Sequence, residues 1–538
     1  VDCDFNTRTI WIILTLAWFF GSHILKLLKK LNAQKSASSG PLVEIPKVEA
    51  ATELVEEEEA VTDSAARDPL SMLRQEYEAR GLVVKGRANE LLIRIVHERY
   101  NQPFVDVMRV YVPKQLNEAL AELKSPHEDN AQAGADRVIH VEQVLSLVEY
   151  MLEQRRHPGM RPMIGDADRL ADDCYRPVLV WARSQGVGIT SSHPAVVFGD
   201  FDLSIASGLI PTTVAPIFLP KDFFERITWW PGLTHEIGHD FYYSVPNFDS
   251  SSRADFGLPS SREGAQLIPV SQGGIALSDI HRAFGAWLEE IFCDVFGVMM
   301  SGPAYLATMI EVFADPDDSE AVLTTPLNGY QSGLGEHPPA HLRFLLVSKV
   351  LSEIGYKRDA DLLMPQWLAA NSLGEAPQHL YLATTSGFVR IPIEPLTRIN
   401  EEIGLRMYRG PLSGLNGRGL SGISGLDYGP HRHNESGRAR DALLAGQVPK
   451  ARDTRAVMSG AVLAATQKPE AQLEILRLAR LAIPALNSNE VRRSVYDLDA
   501  SIGANAFASS MPVVADVVGG LILADIMRRP GHNRRQRG

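Results

Sequence analysis

The chain has 538 residues, of which 45% are hydrophobic and 22% charged, and its formal net charge is −12. These are globular proportions, and the length allows two to four domains. The negative balance argues against a protein that coats nucleic acid over its whole surface, and three scattered cysteines (Cys3, Cys174 and Cys293) argue against a disulfide framework or a C-x-x-C metal site and fit a reducing compartment.

Ile10 to Leu28 is the most apolar stretch, closed by Lys26, Lys29 and Lys30. It predicts a single membrane-spanning helix over residues 1–30. Its uninterrupted apolar part is a little short of the roughly 20 residues a bilayer needs. Lys26 can snorkel, however, and Trp11 and Trp18 suit an interface. Asp2 and Asp4 precede it and no A-x-A site comes after it, which speaks against a cleaved signal peptide. Positive charge after the span predicts a body on the cytoplasmic side. Residues 31–67, with the run Glu56-Glu57-Glu58-Glu59 and no apolar period, read as an acidic flexible linker.

Between residues 68 and 100 a helical period returns. Leu70, Leu73 and Tyr77 share a face, Val83-Val84-Lys85-Gly86 reads as a loop, and Leu91, Leu92 and Ile95 line a second helix. With Leu73, Arg80-Gly81-Leu82, Gly86, Leu91 and Arg94, this helix–loop–helix resembles the SAP module, a small DNA-binding unit. The resemblance implies phosphate contacts from Lys85, Arg87 and Arg94. Ala88 departs from it, at a position where that family often carries Lys. Residues 101–190 read as amphipathic helices broken near Ser125–Ala135 and Pro158–Gly165, packing onto the domain C-terminal to them.

The stretches Ala195–Phe198 and Thr213–Leu219 are β-like, and Pro216 predicts an edge position for the second, suited to holding an extended peptide. Trp229-Trp230-Pro231 opens a helix carrying His235-Glu236-Ile237-Gly238-His239, with Pro231 placed for its first turn. Residues four apart share a helix face, so His235 and His239 can bind one metal ion and Glu236 can act on a water there. A catalytic zinc needs a third protein ligand. The positions where a metzincin would continue its motif hold Tyr242 and Val245. The apolar helix after Leu277 offers Glu290 and Asp294, one turn apart, and carboxylates on so apolar a helix call for a cation or hydrogen bonds. Glu289 competes with Glu290 but points about 100° away; Asp240 and His281 are weaker alternatives.

His235-Glu236-x-x-His239 followed by Glu290-x-x-x-Asp294 resembles the gluzincin metallopeptidases, the group of the thermolysin-like enzymes. The resemblance implies that His235, His239 and Glu290 bind one Zn2+ and that Glu236 is the base. It also implies that Asp294 supports a metal-binding histidine. Gluzincins often stabilise the oxyanion with a downstream His or Tyr. His337, on a loop before a helix starting near Pro338, is the first choice, with Tyr242, Tyr243 and Tyr305 behind it.

Residues 340–400 read as helices with a β-like interruption at Phe388–Ile393, and residues 410–436 as an exposed Gly-, Ser- and Asn-rich loop containing a solvated His431-Arg432-His433. Helices are predicted at Arg438–Leu444, Thr454–Ala465 and Glu470–Ala482. Pro512–Met527 reads as a core or partner-binding helix, and Arg528–Gly538 as a basic tail. The fold class expected is α+β and predominantly helical: a zincin-like domain over 191–370 with a small sheet, a helical region over 101–190 packed on it, and a mostly helical region over 371–538. The function expected is a membrane-anchored zinc metalloendopeptidase acting on protein or peptide substrates. The alternative is a DNA- or protein-binding scaffold that works through residues 68–100, with a structural or inactive zinc site.

Overall fold

The computed structural model describes residues 68–97, 102–189, 193–199, 204–205, 214–271, 274–327 and 333–485. The apolar stretch 10–28, the acidic linker, the helix expected at 512–527 and the basic tail lie outside them. Among the described residues no helix is long and apolar enough to cross a membrane. The fold is α+β and predominantly helical, with small sheets.

Helix α1 (Pro69–His97) is a single unbroken helix of 29 residues, not the helix–loop–helix expected from the sequence. Val84, Ala88, Leu91 and Ile95 are buried, and their spacing carries an apolar stripe straight through the predicted loop. Arg80, Arg87 and Arg94, seven residues apart, meet carboxylates of α3 (Glu128–Arg156). Arg80 Nε lies 2.8 Å from Glu142, Arg87 Nε 3.0 Å from Glu149, and Arg94 3.6 Å from both Glu149 and Glu153. Arg87 and Arg94, expected on phosphates, are thus engaged within the chain; Lys85 is exposed. Helices α2 (Val112–Leu123), α3 and α4 (Arg161–Gln185) break close to the expected places.

Strands β1 (His193–Gly199), β2 (Ser204–Ile205) and β3 (Val214–Pro220) form a sheet in the order β1-β3-β2, with β1 parallel and β2 antiparallel to β3. The strand containing Pro216 is therefore central, not an edge. Among the described residues β2 pairs with it only at Ile217 and Phe218, and no pairing partner on that side faces Pro216. Side chains alternate across the sheet. Val196, Phe198, Ile217 and Leu219 join the main core, while Ala195, Val197 and Phe218 join a second cluster built by α1 to α3. The free edge of β1 is covered by side chains: the N–H groups of Val196 and Phe198 donate to Asp168 and Gln154, both at 2.9 Å.

The main core runs from Ile164 to Ile483 and includes α5 (Gly232–Ser244), α7 (Leu277–Ser301), α8 (Pro303–Val312) and α9 (Ala340–Leu351). The short α6 (Phe248–Phe256) comes after α5, and α10 (Lys357–Ala370) after α9. The β-like signal near Phe388 is one arm of a hairpin, β4 (His379–Thr384) with β5 (Gly387–Pro392). Helix α11 (Ile393–Arg409) leads into residues 410–428, which are not an exposed loop: Leu412, Leu415, Leu420, Ile423, Leu426 and Tyr428 are fully buried. Helix α12 starts earlier than expected, spanning Pro430–Leu444. It contains His431-Arg432-His433, and Arg432 is buried, donating to the carbonyls of Gly425, Leu426 and Asp427. Helices α13 (Thr454–Gln467) and α14 (Gln472–Ala485) close the described chain.

Candidate metal centre

The centre lies where α5 packs on α7. Gly238 permits the approach, since a Cβ there would stand 3.1 Å from the Cα of Cys293. His235 and His239 point to the same side, with their Nε2 atoms 3.2 Å apart. From α7, Glu290 sets Oε2 at 3.3 Å from His235 Nε2 and Oε1 at 3.4 Å from His239 Nε2. A tetrahedron around an ion with bonds of roughly 2.0–2.1 Å has an edge of about 3.3–3.4 Å. The three separations are close to that edge, with a different Glu290 oxygen facing each histidine. Glu290 Oε2, moreover, is buried and makes no well-aligned hydrogen bond. Two imidazoles, a carboxylate and an orphaned buried oxygen fit a divalent cation with zinc's preferences.

Glu236 is buried on the same helix, and the donor atoms of His235, Glu236 and His239 lie within 4.8 Å of one another. Glu290 brings a second carboxylate to the same place, with its two oxygens 3.3 and 3.4 Å from the histidine nitrogens. Burial, more than its neighbours, raises the Glu236 carboxyl above its ordinary pKa. Burial works in the same direction on Glu290, but His337, His239 and Arg343 outweigh it and hold that carboxyl well below the usual range.

Each histidine has an outer partner. His239 Nδ1 lies 2.6 Å from Glu289 Oε1, and the Tyr243 hydroxyl donates to the other Glu289 oxygen. Glu289, which sequence reasoning set aside as a rival ligand, instead orients His239. His235 Nδ1 lies 2.9 Å from the hydroxyl of Tyr305, which donates to Asp294 Oδ1 at 2.8 Å, while the direct His235–Asp294 separation is 3.3 Å. Asp294 thus supports His235 chiefly through Tyr305. That tyrosine lies in the first turn of α8 after a reversal at Gly302, whose φ of 58° is a left-handed value. Burial opposes the charge on both histidines. It is outweighed at His235 by bonds to Asp294 and Glu290, and at His239 by Cys293, Glu290 and Glu289, so both pKa values rise.

Arg343 on α9 completes the cluster. Its Nε and Nη2 donate to the two oxygens of Asp294, both at 2.8 Å. Against burial, this guanidinium holds the Asp294 carboxyl down at about 2. Nothing in the sequence marked Arg343 as part of the site. His337 was marked, and its Nε2 lies 3.2 Å from Glu290 Oε1 with its side chain half exposed. The loop carrying it is anchored by Trp287, whose Nε1 donates to the carbonyl of Gly335 at 3.2 Å. The remaining candidates face elsewhere: Tyr242 donates to Asp249, and Asp240 accepts from Tyr175.

Comparison with family models, with curated proteins and with solved structures yields no match to this chain.

Proposed function

We propose that the chain is a zinc-dependent metalloendopeptidase. The observation that supports this best is the convergence of His235 Nε2, His239 Nε2 and the Glu290 carboxylate at 3.2–3.4 Å, with Glu236 buried beside them. A purely structural site would not need Glu236. His235, His239 and Glu290 would hold the ion, and zinc bound there supplies Lewis acidity for the scissile carbonyl and the attacking water. Glu236 takes a proton from that water and delivers it to the leaving amine; its raised pKa suits a group that must hold a proton between the two steps. His337 approaches from the loop before α9 and donates to the oxyanion formed by attack. Glu289 and the Tyr305–Asp294 pair fix the two imidazoles so that each Nε2 faces the ion. In this reading the apolar stretch at 10–28 tethers the enzyme to a membrane, with the catalytic residues on the cytoplasmic side.

The test pairs metal analysis with hydrolysis of a peptide library. Glu236→Gln should keep its zinc and lose cleavage, whereas His235→Ala and Glu290→Ala should lose both. A Glu236→Gln variant that cleaves as well as the parent ends the proposal.

A further inference from the structure

The Arg343 side chain is 5% exposed, and Phe313 covers it, with its ring centroid 5.2 Å from the guanidinium carbon. Nε and Nη2 hold Asp294. The same Nη2 lies 3.2 Å from Glu290 Oε2 and 3.5 Å from His235 Nε2. A terminal guanidinium nitrogen carries two N–H bonds. One goes to Asp294 and the other meets His235 Nε2, while Glu290 Oε2 stands beside the same nitrogen as an ion-pair neighbour without an aligned hydrogen bond. His235 Nε2 and Glu290 Oε2 carry two of the lone pairs a metal ion would take. Glu290 and Asp294 are 4% and 0% exposed, and buried carboxylates without a compensating cation are strongly destabilising.

We infer that Arg343 is the resident cation of the metal-free site. It holds Asp294 through two hydrogen bonds and places its charge beside Glu290 before the ion arrives. A bound ion would take the lone pairs of Glu290 and His235, and Arg343 would stay on Asp294. This inference rests on the metal centre proposed above. Arg343 is a positioning residue, and its signature is a difference between two states of the protein. Its removal destabilises the metal-free form, where it is the main cation, far more than the zinc-loaded form, where the ion takes over.

The experiment is thermal unfolding of the detergent-purified full chain with and without zinc, beside chelator competition for zinc affinity. It compares the parent with Arg343→Met and Arg343→Lys. Metal-free Arg343→Met should melt roughly 5–10 °C below the metal-free parent, the scale expected from breaking a buried pair in a large domain. With zinc that gap should shrink to less than half, and zinc affinity should be no weaker than the parent's. Arg343→Lys keeps the charge and should fall between the two. Equal gaps with and without zinc would show a packing role and overturn the inference. Should Arg343→Met fail to fold in both states, Arg343→Lys decides: its smaller gap must also shrink with zinc, and an unchanged gap overturns the inference. If instead the parent neither binds zinc nor is stabilised by it, the metal centre itself falls, and the inference with it.

Discussion

Replacing Tyr305 with Phe removes one oxygen and leaves the ring in place. That oxygen donates to Asp294 at 2.8 Å and therefore accepts from His235 Nδ1 at 2.9 Å. Burial and the charge of Asp294 push the phenol's pKa well above its ordinary value, so it remains a donor. The arrangement places the imidazole hydrogen on Nδ1 and leaves the Nε2 lone pair for the ion. In the variant His235 Nδ1 faces Asp294 Oδ1 directly across 3.3 Å, longer than a full charge-assisted hydrogen bond. A hydrogen bond to a charged group contributes about 1.5–3 kcal/mol, and partial closure of that gap recovers some of it. At 1.36 kcal/mol per tenfold, zinc affinity should drop about 10–100-fold, the usual effect of losing an outer partner of a metal-binding histidine. Chelator competition at neutral pH measures it, with His235→Ala marking complete loss. An affinity unchanged from the parent, or one as poor as His235→Ala, would refute the claim that Tyr305 orients His235.

Two further outcomes are expected from the geometry. His337→Gln should retain zinc while kcat falls by roughly 10²–10³, as for an oxyanion donor; steady-state kinetics beside metal analysis checks this, and an unchanged kcat removes His337 from the mechanism. His341, buried on α9, accepts a hydrogen bond from Trp367 Nε1 at 2.8 Å through Nδ1, and burial lowers its pKa to about 4. Its folded pKa lies below the unfolded value of about 6.5, so the unfolded chain binds the extra proton first, and stability present above that value is lost as pH falls towards 4. The loss amounts to about 3 kcal/mol at most, and denaturant unfolding across that window should show it in the parent but not in His341→Gln.

The residues proposed as metal ligands come together where their spacing placed them because that geometry is local. Two histidines four apart on a helix must share a face, and Glu290 with Asp294 repeats that relation on α7. Of the outer partners Asp294 was expected, whereas Glu289, Arg343 and the role of Tyr305 were not. Tyr305 reaches His235 only because the chain reverses at Gly302, and Arg343 arrives from 49 positions beyond Asp294. Glu289 was set aside as a ligand and given no other role, because helical angle alone ignores the reach of a side chain: it lies about 100° from Glu290 yet meets His239 on the neighbouring helix. The helix–loop–helix expected at 68–100 failed for a similar reason. Glycines at 81 and 86 are weak helix formers, but Gly81 lies close to Leu120 and Val138, and the arginine–glutamate pairs secure α1 along α3. In residues 410–428 the glycine and serine content suggested solvent, while the interspersed leucines decided burial.

The far end of α7 bears on any attempt to trim this protein. Ser459 of α13 donates to the carbonyl of Ser301 at 3.0 Å, and Arg455 reaches the sulfur of Met300 at 3.3 Å. The helix that carries Glu290 is therefore braced by side chains more than 150 positions downstream. A fragment cut after residue 370, which would still contain every residue of the proposed centre, would leave that brace behind and uncover the far end of the helix on which Glu290 stands. Minimal versions designed from motif boundaries alone would lose the foundation while keeping every residue of the chemistry.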